Sequence, residues 1–146
     1  MSPQGATQRI NVIVVDDSEL VAHSLERILR GESDIEVVGV AFSEEEAVSA
    51  AAAHDVHVVL MDYRLGDADG IAAAERIREL RPAVQTLILT GDIADTYMLS
   101  RARDAGCAAV LTKTSGIHGS LAGTVRDAHA GTLQLPDPSQ GVRTSP

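Results

Sequence analysis

Aromatic residues and cysteine are nearly absent from this 146-residue sequence, which contains no Trp, 2 Tyr, 1 Phe and 1 Cys. The chain offers little material for aromatic platforms that stack on single-stranded nucleic acid, or for an aromatic cage around a ligand. A lone cysteine, Cys107, excludes an internal disulfide framework and a cysteine-based zinc site, and this fits a reducing compartment. Since 45% of the residues are hydrophobic and very few of these are aromatic, the core must be aliphatic.

Positive charge is also scarce, because 12 Lys and Arg stand against 21 Asp and Glu, for a net charge of −9. The resulting field repels phosphate backbones and anionic membranes, so we expect no direct nucleic-acid binding by this chain. No apolar run approaches the roughly 20 residues that cross a bilayer. Residues 1–8 lack the basic and apolar regions of a signal peptide. These absences predict a cytoplasmic protein without membrane attachment.

The remaining sequence alternates continuous aliphatic runs with amphipathic stretches. Buried strands are predicted at residues 10–15, 35–41, 56–61, 86–90 and 108–112. Helices are predicted from the apolar stripe at 21–29, the Ser43/Glu46 capping box, the segments 70–81 and 94–105, and the stripe at 117–128. This alternation predicts one α/β domain over residues 9–135, with a parallel sheet covered by helices on both faces. Residues 1–8 are predicted to be a flexible tail, and 136–146 a linker or C-terminal tail.

Polar side chains follow the aliphatic runs at the point where each strand ends. The first strand is followed by Asp16 and Asp17, the third by Asp62, the fourth ends in Thr90, and Lys113 follows the fifth. Because ligands bind at the carboxyl ends of the strands in such sheets, these side chains are expected to share one crevice.

Three carboxylates in one crevice repel each other unless a cation neutralises them or some of their pKa values rise. Oxygen ligands of this kind suit Mg²⁺, which commonly joins one or two carboxylates to a phosphoryl group. Lys113 and Thr90 can then bind phosphoryl oxygens, as a point charge and a hydroxyl donor. Asp62 is left as the candidate nucleophile. The five histidines show no spacing typical of metal ligands, so they are interpreted as structural or surface residues.

Four motifs stand at the predicted strand ends, namely Val14-Val15-Asp16-Asp17, Leu60-Met61-Asp62, Ile88-Leu89-Thr90-Gly91 and Leu111-Thr112-Lys113. In this order they resemble the receiver domain of bacterial two-component response regulators. The resemblance covers about residues 9–135 and implies the flavodoxin-like (βα)5 fold, with strand order 2-1-3-4-5 when the five predicted strands are counted along the chain.

The resemblance also implies roles for the strand-end residues. Asp62 would accept a phosphoryl group from a sensor histidine kinase, and Lys113 would hold a phosphoryl oxygen. The metal ligands it implies for Mg²⁺ are Asp16, Asp17, Asp62 and the backbone carbonyl of Arg64. Movement of the Thr90 hydroxyl would shift the face made by the fourth helix, fifth strand and fifth helix. The protein would then be a phosphoacceptor signalling domain and not a turnover enzyme.

The segment from Lys113 onward resembles receivers of the NarL/LuxR class, which precede a helix-turn-helix domain. Its helix is followed by Ala130-Gly131-Thr132-Leu133 and then Pro136. Transcriptional output would therefore act through a DNA-binding domain that is not in this sequence. Dimerisation on phosphorylation is a further expectation from the family.

Three residues depart from the usual pattern or flank the crevice. Arg64, two residues after Asp62, and Asp92, two residues after Thr90, carry opposite charges, and we hypothesise that they form a gate that restricts attacking water. Gly66 stands where the family usually has proline, so a more mobile loop is expected beside Asp62.

Three other functions remain open. A Mg²⁺-dependent phosphohydrolase could also use an aspartyl nucleophile, but Arg64 stands where its general acid is expected. A flavodoxin-like flavin carrier is disfavoured because Asp16 and Asp17 would repel the cofactor phosphate. A pseudo-receiver that only binds partners is disfavoured by the intact acidic set.

Overall fold

The computed structural model describes residues 9–91, 94–113 and 117–135. The predicted tail at 1–8, the predicted linker at 136–146 and Asp92 lie outside the described residues. In the described part the strands are β1 (Ile10–Val15), β2 (Ile35–Ala41), β3 (Val58–Asp62), β4 (Arg64–Leu65), β5 (Ala68–Asp69), β6 (Gln85–Thr90) and β7 (Ala109–Thr112). The helices are α1 (Glu19–Arg30), α2 (Glu44–Ala53), α3 (Gly70–Leu80), α4 (Thr96–Asp104) and α5 (Ile117–Ala130).

Five of the strands form one parallel sheet, in the order β2-β1-β3-β6-β7. Counting only these five strands along the chain gives 2-1-3-4-5, so the predicted fold class is confirmed. The reversal of strand order between β1 and β3 opens a crevice at the carboxyl ends of the strands.

The core lies in two layers, one on each face of the sheet. On one face, α1 and α5 pack aliphatic side chains such as Leu29 and Leu121 against strand residues that include Val14 and Leu60. On the other face, α2, α3 and α4 pack against the opposite side chains of the same strands. The central strands are therefore buried on both sides, and this explains their continuous aliphatic runs.

The helix boundaries follow the capping signals of the sequence with small changes. The Ser43 hydroxyl accepts a hydrogen bond from the Glu46 N–H at 3.1 Å, and the Glu46 carboxylate accepts one from the Phe42 N–H at 2.8 Å. The fourth helix begins later than predicted, at Thr96, because the Asp95 side chain caps it by accepting from the Met98 N–H. The third strand begins at Val58, not at residue 56, since Val56 is buried in the core outside the ladder.

The loop expected beside Asp62 contains a short hairpin. Strands β4 and β5 pair antiparallel, with Arg64 opposite Asp69 and Leu65 opposite Ala68. Gly66 occupies the turn with a φ of +63°, a conformation that costs glycine little and other residues more. The hairpin projects from the end of β3 and forms one wall of the crevice.

Within the residues described, no helix combines the length and the apolar character needed to cross a membrane.

Candidate acidic site at the carboxyl edge of the sheet

The structure brings the predicted side chains together at the ends of four neighbouring strands. Asp62 is the last residue of β3, Thr90 is the last of β6, and Lys113 directly follows β7. A cleft of about 390 Å³ lies over them and is lined by Asp17, Asp62, Tyr63, Arg64, Gly66, Thr90, Gly91 and Lys113. Parallel pairing produces this arrangement, because it places the carboxyl end of every strand at the same edge.

Three aspartates form the acidic part of the site. Asp16 and Asp62 are buried, at 1% and 6% exposure, whereas Asp17 is exposed. Each contributes a carboxylate oxygen, and these oxygens all lie within 4.8 Å of one another. The Asp16 carboxylate also accepts a hydrogen bond from the Ser18 N–H at 2.9 Å, so the start of α1 orients this side chain.

Lys113 joins the two buried carboxylates. Its Nζ lies 2.8 Å from Oδ2 of Asp16 and 3.0 Å from Oδ1 of Asp62. Burial of the ammonium group acts to lower the pKa of Lys113, but the hydrogen bonds to Asp16 and Asp62 outweigh it and the pKa is raised. Lys113 therefore carries its positive charge at neutral pH and can bind an anionic group at Asp62.

The charge on Asp62 is only partly compensated. Burial raises the pKa of Asp62 to about 6; Lys113 opposes this rise, and the neighbouring Asp16 carboxylate adds to it. Three ionised carboxylates and one ammonium group leave a formal excess of two negative charges. A divalent cation with oxygen ligands matches this excess, and so the residues present fit the predicted Mg²⁺ site.

Thr90 is buried at 2% exposure and lines the cleft. Its backbone carbonyl accepts a hydrogen bond from the Lys113 N–H at 2.8 Å, so β6 and the residue after β7 are joined at the site. The hydroxyl-bearing and ammonium-bearing residues are thus neighbours along the sheet edge, as the strand-end pattern predicts.

Arg64 lies at the mouth of the cleft. Its side chain is exposed, and its Cζ lies 5.8 Å from the centre of the Tyr63 ring. The role of its backbone carbonyl as a metal ligand stays a prediction. The charge pair with Asp92 also stays a prediction, because Asp92 lies outside the described residues.

Two glycines of the site have roles that the sequence reasoning missed. The Gly66 N–H donates a hydrogen bond to Oδ2 of Asp17 at 2.9 Å, across 49 residues of sequence. Gly70, at the start of α3, has no room for a side chain, since a Cβ there would lie 2.0 Å from the carbonyl oxygen of Asp62. The Gly66-Asp67 pair is a recognised signal for a tight hairpin turn and could have predicted the turn, although not its hydrogen bond to Asp17. No comparable local signal exists for the role of Gly70.

Outside the cleft, the cysteine and one of the histidines have surroundings that indicate a structural role. Burial raises the pKa of the Cys107 thiol to about 12, so the thiolate is disfavoured and the residue packs in the core. The His57 ring accepts a hydrogen bond from the Asn11 N–H at 2.9 Å beside β1 and β3, far along the strands from the acidic site.

Comparison with known proteins places the same residues in one family. The response regulator receiver domain matches residues 12–120, which include all the motifs at the strand ends. The response regulator protein VraR of Staphylococcus aureus is 36% identical over 122 residues, covering 84% of this chain and 57% of VraR. The chain therefore spans little more than half the length of this curated relative.

Solved structures agree in fold. The receiver domain of the response regulator NarL from Mycobacterium tuberculosis is 27% identical, with a TM-score of 0.78 over 85% of this chain and 98% of that one. A LuxR-family response regulator from Aurantimonas sp. SI85-9A1 is also 27% identical, with a TM-score of 0.79 over 91% of this chain and 94% of that one. With the family match extending over most of the chain and the strand order in agreement, this protein belongs to the response regulator receiver domain family.

Proposed function

We propose that this protein is a phosphorylation-controlled switch in which Asp62 accepts a phosphoryl group from a sensor histidine kinase. The observation that carries the proposal is the position of Asp62, whose carboxylate faces the cleft beside the Lys113 ammonium at 3.0 Å. A carboxylate oxygen of Asp62 attacks the phosphorus of a phosphohistidine, and a P–O bond forms as the P–N bond breaks. The histidine nitrogen keeps the electron pair and takes up a proton.

Asp16, Asp17 and Asp62 would hold Mg²⁺, with the Arg64 carbonyl as a further ligand. The ion would supply positive charge that screens the carboxylates from the incoming phosphoryl oxygens. Lys113 supplies a second positive charge beside Asp62 and would bind a phosphoryl oxygen. These residues position a group for transfer, whereas Arg64 stands two residues after Asp62, where the general acid of an aspartyl-nucleophile phosphohydrolase is expected.

The dianionic phosphoryl group would act on the strand ends that surround it. Thr90 and Lys113 are connected through the backbone at 2.8 Å, so their attraction to the new charge would act on β6 and β7 together. The face formed by α4, β7 and α5 includes one of these strands, so phosphorylation would shift the equilibrium between its conformations. We propose that this face controls transcription through a helix-turn-helix domain outside this sequence, with a homodimer of the phosphorylated form.

The first test measures the intact mass of the protein after incubation with a small-molecule phosphoryl donor. We expect a gain of one phosphoryl group in the presence of Mg²⁺ and none when EDTA removes the ion, because the carboxylates then repel the donor. Absence of any gain, in conditions that modify a control receiver, would favour a pseudo-receiver. Continuous release of inorganic phosphate at high turnover would instead favour a phosphohydrolase.

The gate hypothesis for Arg64 and Asp92 leads to a separate prediction about the lifetime of the phosphorylated form. We expect Arg64→Ala to speed dephosphorylation by about 3- to 10-fold, because removal of the side chain opens the mouth of the cleft to water. The rate is measured as the loss of the phosphorylated mass after the donor is removed. Asp92→Ala should have the same effect. Arg27→Ala, at an exposed position of α1, is the matched control, and equal rates in all four proteins would refute the gate.

A further inference from the structure

The hairpin formed by β4 and β5 contacts the acidic site at its turn and α4 at its base. At the turn, the Gly66 N–H donates to Oδ2 of Asp17 at 2.9 Å. At the base, the Asp69 carboxylate forms an ion pair with Arg101 of α4. Gly66 and Asp69, which make these two contacts, are three positions apart in the same hairpin.

We propose that the Gly66 N–H is the positioning group for Asp17, and that it preforms the acidic site for its cation while Arg101 holds the hairpin in place. The proposal rests on the metal site of the proposed function for its second half only. The orientation of Asp17 belongs to the protein itself and is present without any ion.

Asp17 needs a positioning group because it is exposed, unlike the other two aspartates of the site. Asp16 is buried and is oriented by the Ser18 N–H and by Lys113. Asp62 is buried and is oriented by Lys113. Asp17 is exposed, so its side chain would lose rotamer freedom on binding an ion unless the protein had already restricted it.

The geometry allows the hydrogen bond and metal binding at the same time. Gly66 donates to one carboxylate oxygen, Oδ2, and a carboxylate has several acceptor positions. The N–H dipole also offsets part of the negative charge that Asp17 adds to the site. Loss of a group that orients a metal ligand in this way typically weakens metal affinity by about 10- to 100-fold.

The hydrogen bond to Asp17 can be tested by changing Gly66 alone, because of the backbone conformation of this residue. Gly66 has a φ of +63° while its N–H donates to Asp17, and β-branched residues strongly disfavour this conformation. A Cβ at this position would meet no atom within 4 Å, so substitution changes the backbone preference without a steric clash. Variants at Gly66 therefore test the orientation of the amide in isolation.

The base of the hairpin is fixed by two contacts of Asp69. One carboxylate oxygen caps α3 by accepting from the Ile71 N–H at 2.8 Å, and the other pairs with Arg101. The Arg101 guanidinium also lies 5.8 Å from the centre of the Tyr97 ring on the same helix. Since α4 and Asp17 are attached to opposite ends of one short hairpin, the position of α4 and the affinity for the cation should be coupled, and such coupling is reciprocal.

The first experiment needs no metal. Amide hydrogen exchange by NMR should show protection of the Gly66 N–H in the metal-free wild-type protein, and at least 10-fold faster exchange in Asp17→Ala, which removes the acceptor. Arg101→Gln should also speed this exchange, by a smaller factor. Rapid exchange of Gly66 in the wild type would overturn the proposal, and an unchanged rate in Arg101→Gln would overturn the part that concerns α4.

The second experiment measures Mg²⁺ affinity by isothermal titration calorimetry. We expect Gly66→Val to bind Mg²⁺ 10- to 100-fold more weakly than the wild type, and Gly66→Asn, which tolerates positive φ, to restore the affinity to within about threefold. Thermal denaturation checks that each variant is folded. Equal affinities for the valine variant and the wild type would overturn the preforming role. A wild type that binds no Mg²⁺ would refute the metal site of the proposed function, whereas the exchange data would still decide the orientation of Asp17.

Discussion

Asp62→Asn is expected to abolish phosphoryl incorporation, so that the intact mass stays constant under conditions that add one phosphoryl group to the wild type. An amide cannot supply the anionic oxygen that attacks phosphorus, whereas its size matches the carboxylate it replaces. The amide oxygen can still face Lys113, which lies 3.0 Å from Oδ1 in the wild type. We therefore expect a folded but inactive protein, with at least a 100-fold loss of initial rate.

The matched control for this prediction is Asp67→Asn. Asp67 is an exposed residue of the hairpin turn, five positions after Asp62, and it does not line the acidic cleft. This variant should incorporate one phosphoryl group at close to the wild-type rate. If Asp62→Asn still gained a phosphoryl group, peptide mapping would locate another acceptor and the assignment of Asp62 would be wrong.

Gly70→Ala is expected to lower both the stability of the protein and its rate of phosphorylation. The added Cβ would lie 2.0 Å from the carbonyl oxygen of Asp62 and 3.1 Å from Cγ of Met61. Because the first of these atoms belongs to the backbone of β3, no side-chain rotation can relieve the overlap. The Gly70 N–H also donates to the Tyr63 carbonyl at 2.7 Å, so α3 cannot move away without breaking this contact.

Overpacking of this kind costs roughly 1–3 kcal/mol, and backbone overlap belongs at the upper end of that range or above it. Displacement of a reacting group by about 1 Å can lower a rate about 100-fold, so the loss of phosphorylation should exceed what partial unfolding explains. Urea denaturation measures the free energy of unfolding, and intact mass measures the rate on the folded fraction.

Gly123→Ala provides the comparison for Gly70→Ala. Gly123 lies in α5, where a Cβ would meet no atom within 4 Å, and alanine is favoured over glycine in a helix by about 0.5–1 kcal/mol. This variant should be slightly more stable than the wild type. Equal free energies of unfolding for Gly70→Ala and the wild type would show that the close approach of α3 to β3 is not required for stability.

The elements of the fold could be predicted because their signals are local and periodic. Continuous aliphatic runs mark strands that are buried on both faces, and the stripe through Leu121 and Val125 marks the buried side of α5. Strand boundaries are harder to predict. Val56 shows the reason, since it is as hydrophobic as a strand residue and is buried in the core, but it lies outside the ladder.

The composition of the acidic site could also be predicted. Asp16 and Lys113 follow parallel strands and Asp62 ends one, and parallel pairing brings such residues to one edge of a sheet. The residues at the carboxyl ends of the strands therefore determine the composition of the acidic site. Four motifs at the correct strand ends were enough to indicate the family.

Tertiary structure alone decided how these residues are held. The hydrogen bond from Gly66 to Asp17 and the close approach of Gly70 to Asp62 depend on the path of the backbone after β3. No periodic sequence pattern predicts either contact, because each joins residues that only folding brings close together. The hairpin strands have two residues each, which is too short to show alternation of hydrophobic and polar residues. Amino-acid order thus specifies which groups meet at the sheet edge, since the aliphatic runs stop at those residues. Their orientation arises from contacts between residues that only packing brings together.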